Sequence, residues 1–466
     1  MLTAALLRSL RYTHFCPSME LIDKYNVPGP RYTSYPTVPF WENSPTTDQW
    51  KELVKSSFEL HNVKDGISIY IHLPYCESLC TFCGCTTRIT VNHGVEDPYI
   101  DALLKEWSLY LDLFNEKPII KEVHLGGGTP TFFSPENLTR LINGIKEKSV
   151  FAEDIDLGFE ANPRTTTQEH LEVMHRLGFK RLSLGIQDFD PLVQKTINRV
   201  QSFSLVKQVT DWARKIGYTS VNFDLVYGLP HQTAASIENT IDLVNLLRPD
   251  RIAYYSYAHV PWVKPGQRSF TEKDLPEGPL KHKMYSLGKQ MLLHAGYLEI
   301  GMDHFALPEE DLTLAYRSGK MHRNFMGYTT QPSKLMIGLG VSSISDTWTG
   351  FGQNIKVVEQ YLEKVNAGEF PVFRGHILTD EDLLIRKLIL DLMCTFKTEI
   401  PQNDYVNVTM LANDLIELKN DQIIDWNGNA LNITNTGKPY VRNICMAFDQ
   451  RLKRKQPDTQ IFSMTI

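Results

Sequence analysis

Between residues 67 and 260 two kinds of pattern alternate along the chain. Short runs rich in Ile, Val, Leu, Phe and Tyr read as β-strands at 67–73, 122–125, 155–159, 181–186, 221–226 and 252–257. Between them, apolar residues three and four apart predict helices over 98–114, 135–149, 167–177, 203–216 and 234–247. The punctuation agrees. Ser134-Pro135 supplies an N-cap followed by proline at the first helical position, and Gly178 and Gly217 stand where two helices should end.

Six strands joined by helices imply a parallel sheet with right-handed crossovers. Polar or glycine-rich sequence follows every strand: Cys76 onward, GGGTP, EANPR, QDF, DLVYGLP and YAHVP. Chemistry gathered at the carboxyl ends of parallel strands is the habit of βα-barrels. The expected fold is therefore α/β, a partial (βα)6 TIM-like barrel, with a doubly wound sheet as the alternative at this level. The tail differs. It shows a helical pattern over 379–396, a hairpin over 423–433 turning at Asn427-Gly428, and a last helix over 437–453. These predict a smaller, mainly helical, winged-helix-like C-terminal domain. It lacks a basic recognition helix, so it reads as a lid or packing module rather than a DNA reader.

Composition works by exclusion. With 466 residues, 42% of them apolar and 22% charged, the chain is long enough for two to four domains and is not a disordered or collagenous polymer. No run approaches the ~18 apolar residues of a transmembrane helix. Net charge is −6, so no overall basic field invites nucleic acid. Seven cysteines are too few for a disulfide scaffold, and four of them, Cys76, Cys80, Cys83 and Cys85, fall within ten residues. Such clustering reads as a metal or cluster site in a reducing, cytoplasmic setting. Residues 1–18 carry two arginines and no acid. They read as an extension, either removed or an over-long start, because Met19 opens the patterned sequence.

The stretch Cys76-Glu-Ser-Leu-Cys80-Thr-Phe-Cys83-Gly-Cys85 follows the first strand directly. Three thiolates on one tight loop suit one face of an iron–sulfur cubane, where three irons need one protein ligand each and the fourth stays open. The alternative is zinc, which favours two separated pairs and a closed tetrahedron. The chain has no second pair, and His72, which could supply a ligand, lies on the strand in alternation with Tyr70. Gly126-Gly127-Gly128-Thr129-Pro130 would let backbone approach a ligand closely, or simply make a tight turn. Neither GxGxxG nor GK[ST] occurs, which disfavours nucleotide-phosphate binding.

CxxxCxxC after a first barrel strand resembles the radical S-adenosylmethionine enzymes, and CxxxCxxCxC is a narrower form. The following segments, taken together, resemble the oxygen-independent coproporphyrinogen III oxidase family over residues 19–466: PGPRYTSYPT (28–37), HLGGGTPT (124–131), LGIQDF (184–189), INRVQ (197–201), DLVYGLP (224–230), GMDHFA (301–306), HRNFMGYTTQ (322–331) and NICMAFD (443–449). The resemblance implies a [4Fe-4S] cluster on Cys76, Cys80 and Cys83, with Cys85 outside the ligand set. It implies two molecules of S-adenosylmethionine. The first would touch Tyr70, Gly127, Glu160, Ala258 and Ile344. The second would touch Phe82, Gly128, Thr129, Gln187, Arg199 and Asp224. Glu160 and Asp224 are suitable acceptors for ribose hydroxyls or an ammonium group, and Arg199 can grip a carboxylate. Asn162 departs from the family, which often has Asp there.

The implied substrate is coproporphyrinogen III, with Arg31, His304, His322 and Arg323 as candidates to meet its propionates. The implied reaction starts with one electron from an unidentified low-potential donor. Reductive cleavage of S-adenosylmethionine gives a 5′-deoxyadenosyl radical, which takes a hydrogen from a propionate β-carbon. Carbon dioxide and an electron to a terminal acceptor then leave a vinyl group. Two such events give protoporphyrinogen IX. The implied organisation is a substrate-covering segment at 19–60, a radical core at 61–294, a core extension and substrate pocket at 295–375, and the tail domain at 376–466. The resemblance also implies a cytoplasmic monomer with no membrane or nucleic-acid partner. A heme-degrading radical methyltransferase, a heme-carrying chaperone and, more remotely, a zinc-dependent regulator are the rivals. Cys85 and the INRVQ segment argue against the chaperone.

Overall fold

The structure is a computed structural model and describes residues 19–455, 459 and 461–465. The expected 1–18 extension lies outside the described residues. The barrel strands are β1 (Ile67–Leu73), β2 (Ile119–Gly127), β3 (Val150–Ala161), β4 (Arg181–Gln187), β5 (Ser220–Tyr227) and β6 (Arg251–Ser256). The later strands are β7 (Leu298–Gly301), β8 (His304–Ala306), β9 (His322–Asn324), β10 (Gly327–Thr329), β11 (Met336–Leu339), β12 (Ile344–Asp346), β13 (Gly350–Asn354) and β14 (Val372–Ile377). All but β9 and β10 join one sheet, in the order β14-β13-β12-β11-β1-β2-β3-β4-β5-β6-β8-β7.

From β1 to β6 the order never reverses, and each pair is parallel. A doubly wound sheet requires a reversal of strand order, so that alternative falls. The sheet stays open, because its outermost strands β14 and β7 do not pair. Strand β11 adds a seventh parallel member beside β1, with Tyr70 opposite Gly338. Its four buried residues, Met-Ile-Gly-Leu, are too short a run to carry a periodic signal and are placed by pairing with β1.

Local chemistry fixes the helices where the pattern put them. Ser134 accepts a hydrogen bond from the Asn137 N–H and starts the helix Pro135–Glu147. Thr233 and Ser236 form a reciprocal cap at the start of Ala234–Leu247. Phe203–Ile216 ends at Gly217, whose φ of 113° a side chain would resist. The helices and strands enclose a main core that includes Ile67, Ile69, Ile71, Leu125, Leu184 and Phe223.

The tail matches the expected helix and hairpin, with two differences. The hairpin strands Ile424–Asn427 and Ala430–Ile433 turn on Gly428-Asn429, one residue later than Asn427-Gly428, with Gly428 at φ 59°. The expected helix over 437–453 is broken into Lys438–Tyr440, Val441–Met446 and Gln450–Arg454. Asp449 explains the break, since its carboxylate accepts from the Leu452 N–H and starts a new helix. The tail core also takes in Tyr25, Tyr32 and Tyr35 from the start of the chain and Ile300 and Tyr328 from the region after β6. Arg442 ties the two chain ends together, donating to the carbonyls of Gly29, Pro30 and Met464.

Candidate active site

A cavity of about 650 Å³ opens at the carboxyl ends of the parallel strands. Cys76, Cys80, Cys83 and Cys85 line it, on the loop leaving β1. Backbone bonds hold this loop from two sides. The Thr129 N–H donates to Tyr75 O at 3.1 Å, and Gly128 N–H to Leu73 O at 2.8 Å. From the far side the INRVQ segment clasps it: Asn198 Nδ2 donates to Leu79 O at 2.7 Å, and Thr81 reaches Ile197 O and Thr196 O. Motifs more than a hundred residues apart in sequence therefore form one rigid cradle.

The thiols sit among cations. Arg199 Nη1 and Arg164 Nη2 lie 3.7 and 3.8 Å from Cys80 Sγ. The Nε atoms of both arginines are buried with no partner. Cys76 Sγ meets Thr129 Oγ1 at 3.2 Å, and burial pushes its thiol up to about 11. The Cys83 thiol is held low by hydrogen bonding from Cys85, against burial. Three thiolates on one wall, with orphaned guanidinium donors beside them, fit an anionic cluster. Among the described residues no set of three or more His, Cys, Asp and Glu converges as it would on a single ion.

The glycine turn is a close-approach device. Gly127 has φ 110°, and a Cβ there would lie 2.6 Å from the His72 ring. A Cβ on Gly128 would lie 2.5 Å from the Pro74 backbone. Glu160, at the end of β3, accepts from Gly127 N at 3.3 Å and faces His124 Nε2 at 3.5 Å. Burial works to raise its carboxyl, but the His124 and Gly127 contacts outweigh it and hold Glu160 below its ordinary value. Asp224 on β5 accepts from Ser183 Oγ at 3.0 Å and Asn222 Nδ2 at 2.9 Å. Burial, with Glu160 nearby, pushes Asp224 up to about 6. One register row carries Gly185, Asp224, Ala253 and His304 across four strands. Arg199 Nη2 donates to Gly185 O at 2.7 Å beside Gln187, whose own φ is 68°.

Phe82, Gly127, Gly128, Thr129, Glu160, Gln187, Arg199, Asp224 and His304 all line the cavity with the cysteines. Tyr70, Ala258 and Ile344 do not, but stand just behind its wall. Tyr70 pairs with His72 Nδ1 at 3.1 Å and stacks on His124. The Ile344 backbone covers Gly338, the register partner of Tyr70. Ala258 O accepts from Gln267 Nε2, which also donates to Phe82 O. The structure does not bring the substrate candidates together. His304 is kept neutral, with burial pushing it down to about 4. Arg31 is 2.5 Å from Asp303 and lines a separate, smaller cavity. His322 packs near Trp348, and burial, aided by Arg386, pushes it down to about 4. Arg323 is buried on β9. Sequence reasoning missed Arg164, although it sits in the quoted EANPR motif. It also missed Gln267, which carried no signal, and the floor pairs Arg181–Asp156 and Arg251–Glu310.

The sequence pattern of the Radical SAM superfamily matches residues 70–244. Among curated relatives, the oxygen-independent coproporphyrinogen III oxidase of Synechocystis sp. is 38% identical, with 96% of this chain and 98% of that protein covered. Its Escherichia coli K12 counterpart is 37% identical, with 94% and 96% covered. Among solved structures, the coproporphyrinogen III oxidase HemN from Escherichia coli, described as a radical SAM enzyme, superposes with a TM-score of 0.85 at 34% identity. The match covers 93% of this chain and 99% of that one.

Proposed function

Since this chain belongs to the oxygen-independent coproporphyrinogen III oxidase family, we infer that its barrel-end cavity carries out oxidative decarboxylation of two propionates of coproporphyrinogen III. The products are protoporphyrinogen IX and two molecules of carbon dioxide, made in porphyrin and heme biosynthesis. The cofactors are a [4Fe-4S] cluster and S-adenosylmethionine, which together supply hydrogen-abstracting radical chemistry when bound. The observation that carries the reading is the convergence of three loop thiols, the glycine turn, Glu160, Arg199 and Asp224 on one cavity.

The residues divide the work as follows. Cys76, Cys80 and Cys83 hold the cluster, and Arg164 and Arg199 offset its negative charge. Two S-adenosylmethionine molecules are bound. Tyr70, Gly127, Glu160, Ala258 and Ile344 serve the first, with Glu160 kept ionised to accept from an ammonium or hydroxyl group. Phe82, Gly128, Thr129, Gln187, Arg199 and Asp224 serve the second. The barrel wall excludes water from the reacting centre, which protects a reactive species from quenching. Arg31, His304, His322 and Arg323 are the proposed partners of the tetrapyrrole's propionates, and of the four His304 lines this cavity. The electron enters from an external low-potential donor and leaves to a separate acceptor. The protein acts as a cytoplasmic monomer without nucleic-acid or membrane partners. The net charge of −6 disfavours a nucleic-acid partner, and among the described residues no helix is long and apolar enough to cross a membrane.

The test is an anaerobic assay of reconstituted protein with coproporphyrinogen III, S-adenosylmethionine and a low-potential reductant, followed by mass spectrometry. Stepwise loss of two carboxyl groups with formation of 5′-deoxyadenosine is expected. An unchanged tetrapyrrole, beside continuing S-adenosylmethionine cleavage, would overturn the substrate assignment and point to heme as substrate or cargo.

A further inference from the structure

Arg323 is only 5% exposed, and its Nε and Nη1 have no hydrogen-bond partner. Its cationic neighbours are matched: Arg31 by Asp303, and Arg386 by Asp346. No carboxylate pairs with Arg323 among the described residues. A buried guanidinium without a counter-ion is among the costliest groups a core can hold, and such an orphan calls for an explanation. Its setting is built rather than accidental. The guanidinium lies 4.6 Å over the centre of the Tyr328 ring. That ring is locked, because its hydroxyl donates to Met393 O at 2.9 Å and accepts from Met302 N at 3.1 Å. Tyr328 also lines the large cavity, together with its neighbours His304 and Tyr255. Burial keeps His304 neutral, so it adds no second positive charge beside Arg323. Asp303, which lies next to His304, is already held by Arg31, and Asp224 on the cavity wall is occupied by Ser183 and Asn222.

We propose that Arg323 is a carboxylate-binding residue that grips one propionate of the tetrapyrrole, and that this propionate is one of the two left unreacted. The proposal rests on the functional reading above and specifies how that site orients its substrate. A guanidinium fork matches a carboxylate in plane and spacing, and an aromatic face behind it fixes the plane. The choice of propionate follows from charge. A reacting propionate gives up its carboxylate as neutral carbon dioxide. A cation gripping it would stabilise the ground state more than the transition state and slow the step. A retained propionate keeps its charge throughout, so gripping it orients the macrocycle without opposing the reaction.

The experiment compares wild type with Arg323→Met and Arg323→Lys, all as anaerobic, cluster-loaded protein. Without substrate, Arg323→Met should melt higher than wild type, because an unpaired buried charge has been removed. Its kcat/KM for coproporphyrinogen III should fall about 30-fold or more, chiefly through KM, while S-adenosylmethionine affinity stays unchanged. Arg323→Lys, which keeps the charge but loses the fork, should fall less. Coproporphyrinogen III esterified at one retained propionate should bind wild type correspondingly weakly and Arg323→Met no worse than the free acid does. A merely structural Arg323 predicts a lower melting midpoint and unchanged substrate affinity, and that result overturns the proposal. If only an ester on a reacting propionate abolishes the variant's defect, the choice of propionate is overturned. Should wild type itself fail to convert coproporphyrinogen III, the functional reading fails instead. Binding of coproporphyrin, read by its fluorescence, still tests the carboxylate grip.

Discussion

Gly84 and Gly128 both belong to the thiol cradle, but adding one methyl group to each should have opposite consequences. At Gly84, within the cysteine loop, a Cβ meets nothing within 4 Å. At Gly128 a Cβ would lie 2.5 Å from both Pro74 C and Pro74 O, and 2.9 Å from Leu73 O. Those are backbone atoms, so no side chain can swing away. Gly128 N also donates to Leu73 O at 2.8 Å, which fixes the approach. Overpacking at such a junction costs about 1–3 kcal/mol. The hydrogen bond it would stretch contributes about 1 kcal/mol, part of the same cost. Relief can come only by moving the start of the cysteine loop away from β2. That would separate Cys76 from Thr129, now 3.2 Å apart. A displacement near 1 Å at a reacting centre costs about 10²-fold in rate. Gly128→Ala should therefore lower the denaturation midpoint, reduce iron retained after reconstitution, and cut turnover by about two orders of magnitude. Gly84→Ala should leave all three near wild type. Iron content, chemical denaturation and single-turnover decarboxylation read the outcomes. A Gly128→Ala protein with full iron and turnover would refute the view that the glycine turn exists for close approach.

Single alanine substitutions at Cys76, Cys80 and Cys83 should each lose cluster iron and turnover, whereas Cys85→Ala should keep the iron; iron analysis and electron paramagnetic resonance decide it. Glu106 lies fully buried, accepting from Gly340 N, Asn354 Nδ2 and Tyr361 OH, and burial outweighs those bonds to push it up to about 7. Its folded state binds the proton more tightly than the unfolded chain. Its contribution to stability should thus be fully present below about pH 4.5 and lost as pH rises through 7, a change of about 3 kcal/mol; Glu106→Gln should remove that component of the pH dependence in denaturant titrations. Gln267→Leu would leave Val260 N, Phe82 O and Ala258 O without their partner, at about 1–3 kcal/mol for a buried unsatisfied group. The expected result is weaker S-adenosylmethionine binding by calorimetry and faster proteolysis within 259–275.

The barrel strands and most of their helices were legible because the strands hold apolar runs and most helices carry a capping residue, but the strand order that rules out a doubly wound sheet was not, since it depends on pairing across the chain. β1 reads Ile-Ser-Ile-Tyr-Ile-His-Leu and is buried along its length apart from Tyr70. Periodicity registers such local facts directly. Strand β11 escaped because its residues gain their conformation from pairing with β1 across more than 260 residues of chain, and four residues hold no period. The broken final helix has the same origin in reverse. Its apolar spacing continues through 437–453, but the Asp449 cap interrupts it locally. Capping competes with periodicity wherever an acid sits before a potential new first turn.

The site divides along the same line. Cysteines on one loop, the glycine turn and the strand-end acids carry their chemistry in a few adjacent letters, and the structure brings them to one cavity. The groups that hold them in place come from elsewhere in the chain. Asn198 reaches Leu79, Gln267 bridges Phe82 and Ala258, and Arg164 approaches Cys80, each an ordinary polar residue in a loop. Nothing in the spacing of such residues marks them, because their role depends on which carbonyl or sulfur the fold delivers. Arg323 is the informative exception. Its motif suggested a substrate role, yet within HRNFMGYTTQ it is one cation among neighbours, indistinguishable from a paired core arginine such as Arg386. Only the folded chain separates them: Arg386 meets both oxygens of Asp346, while Arg323 is buried over Tyr328 with two donors unclaimed. An unsatisfied buried donor is therefore a kind of functional signal that the fold creates and that residue identity alone does not contain.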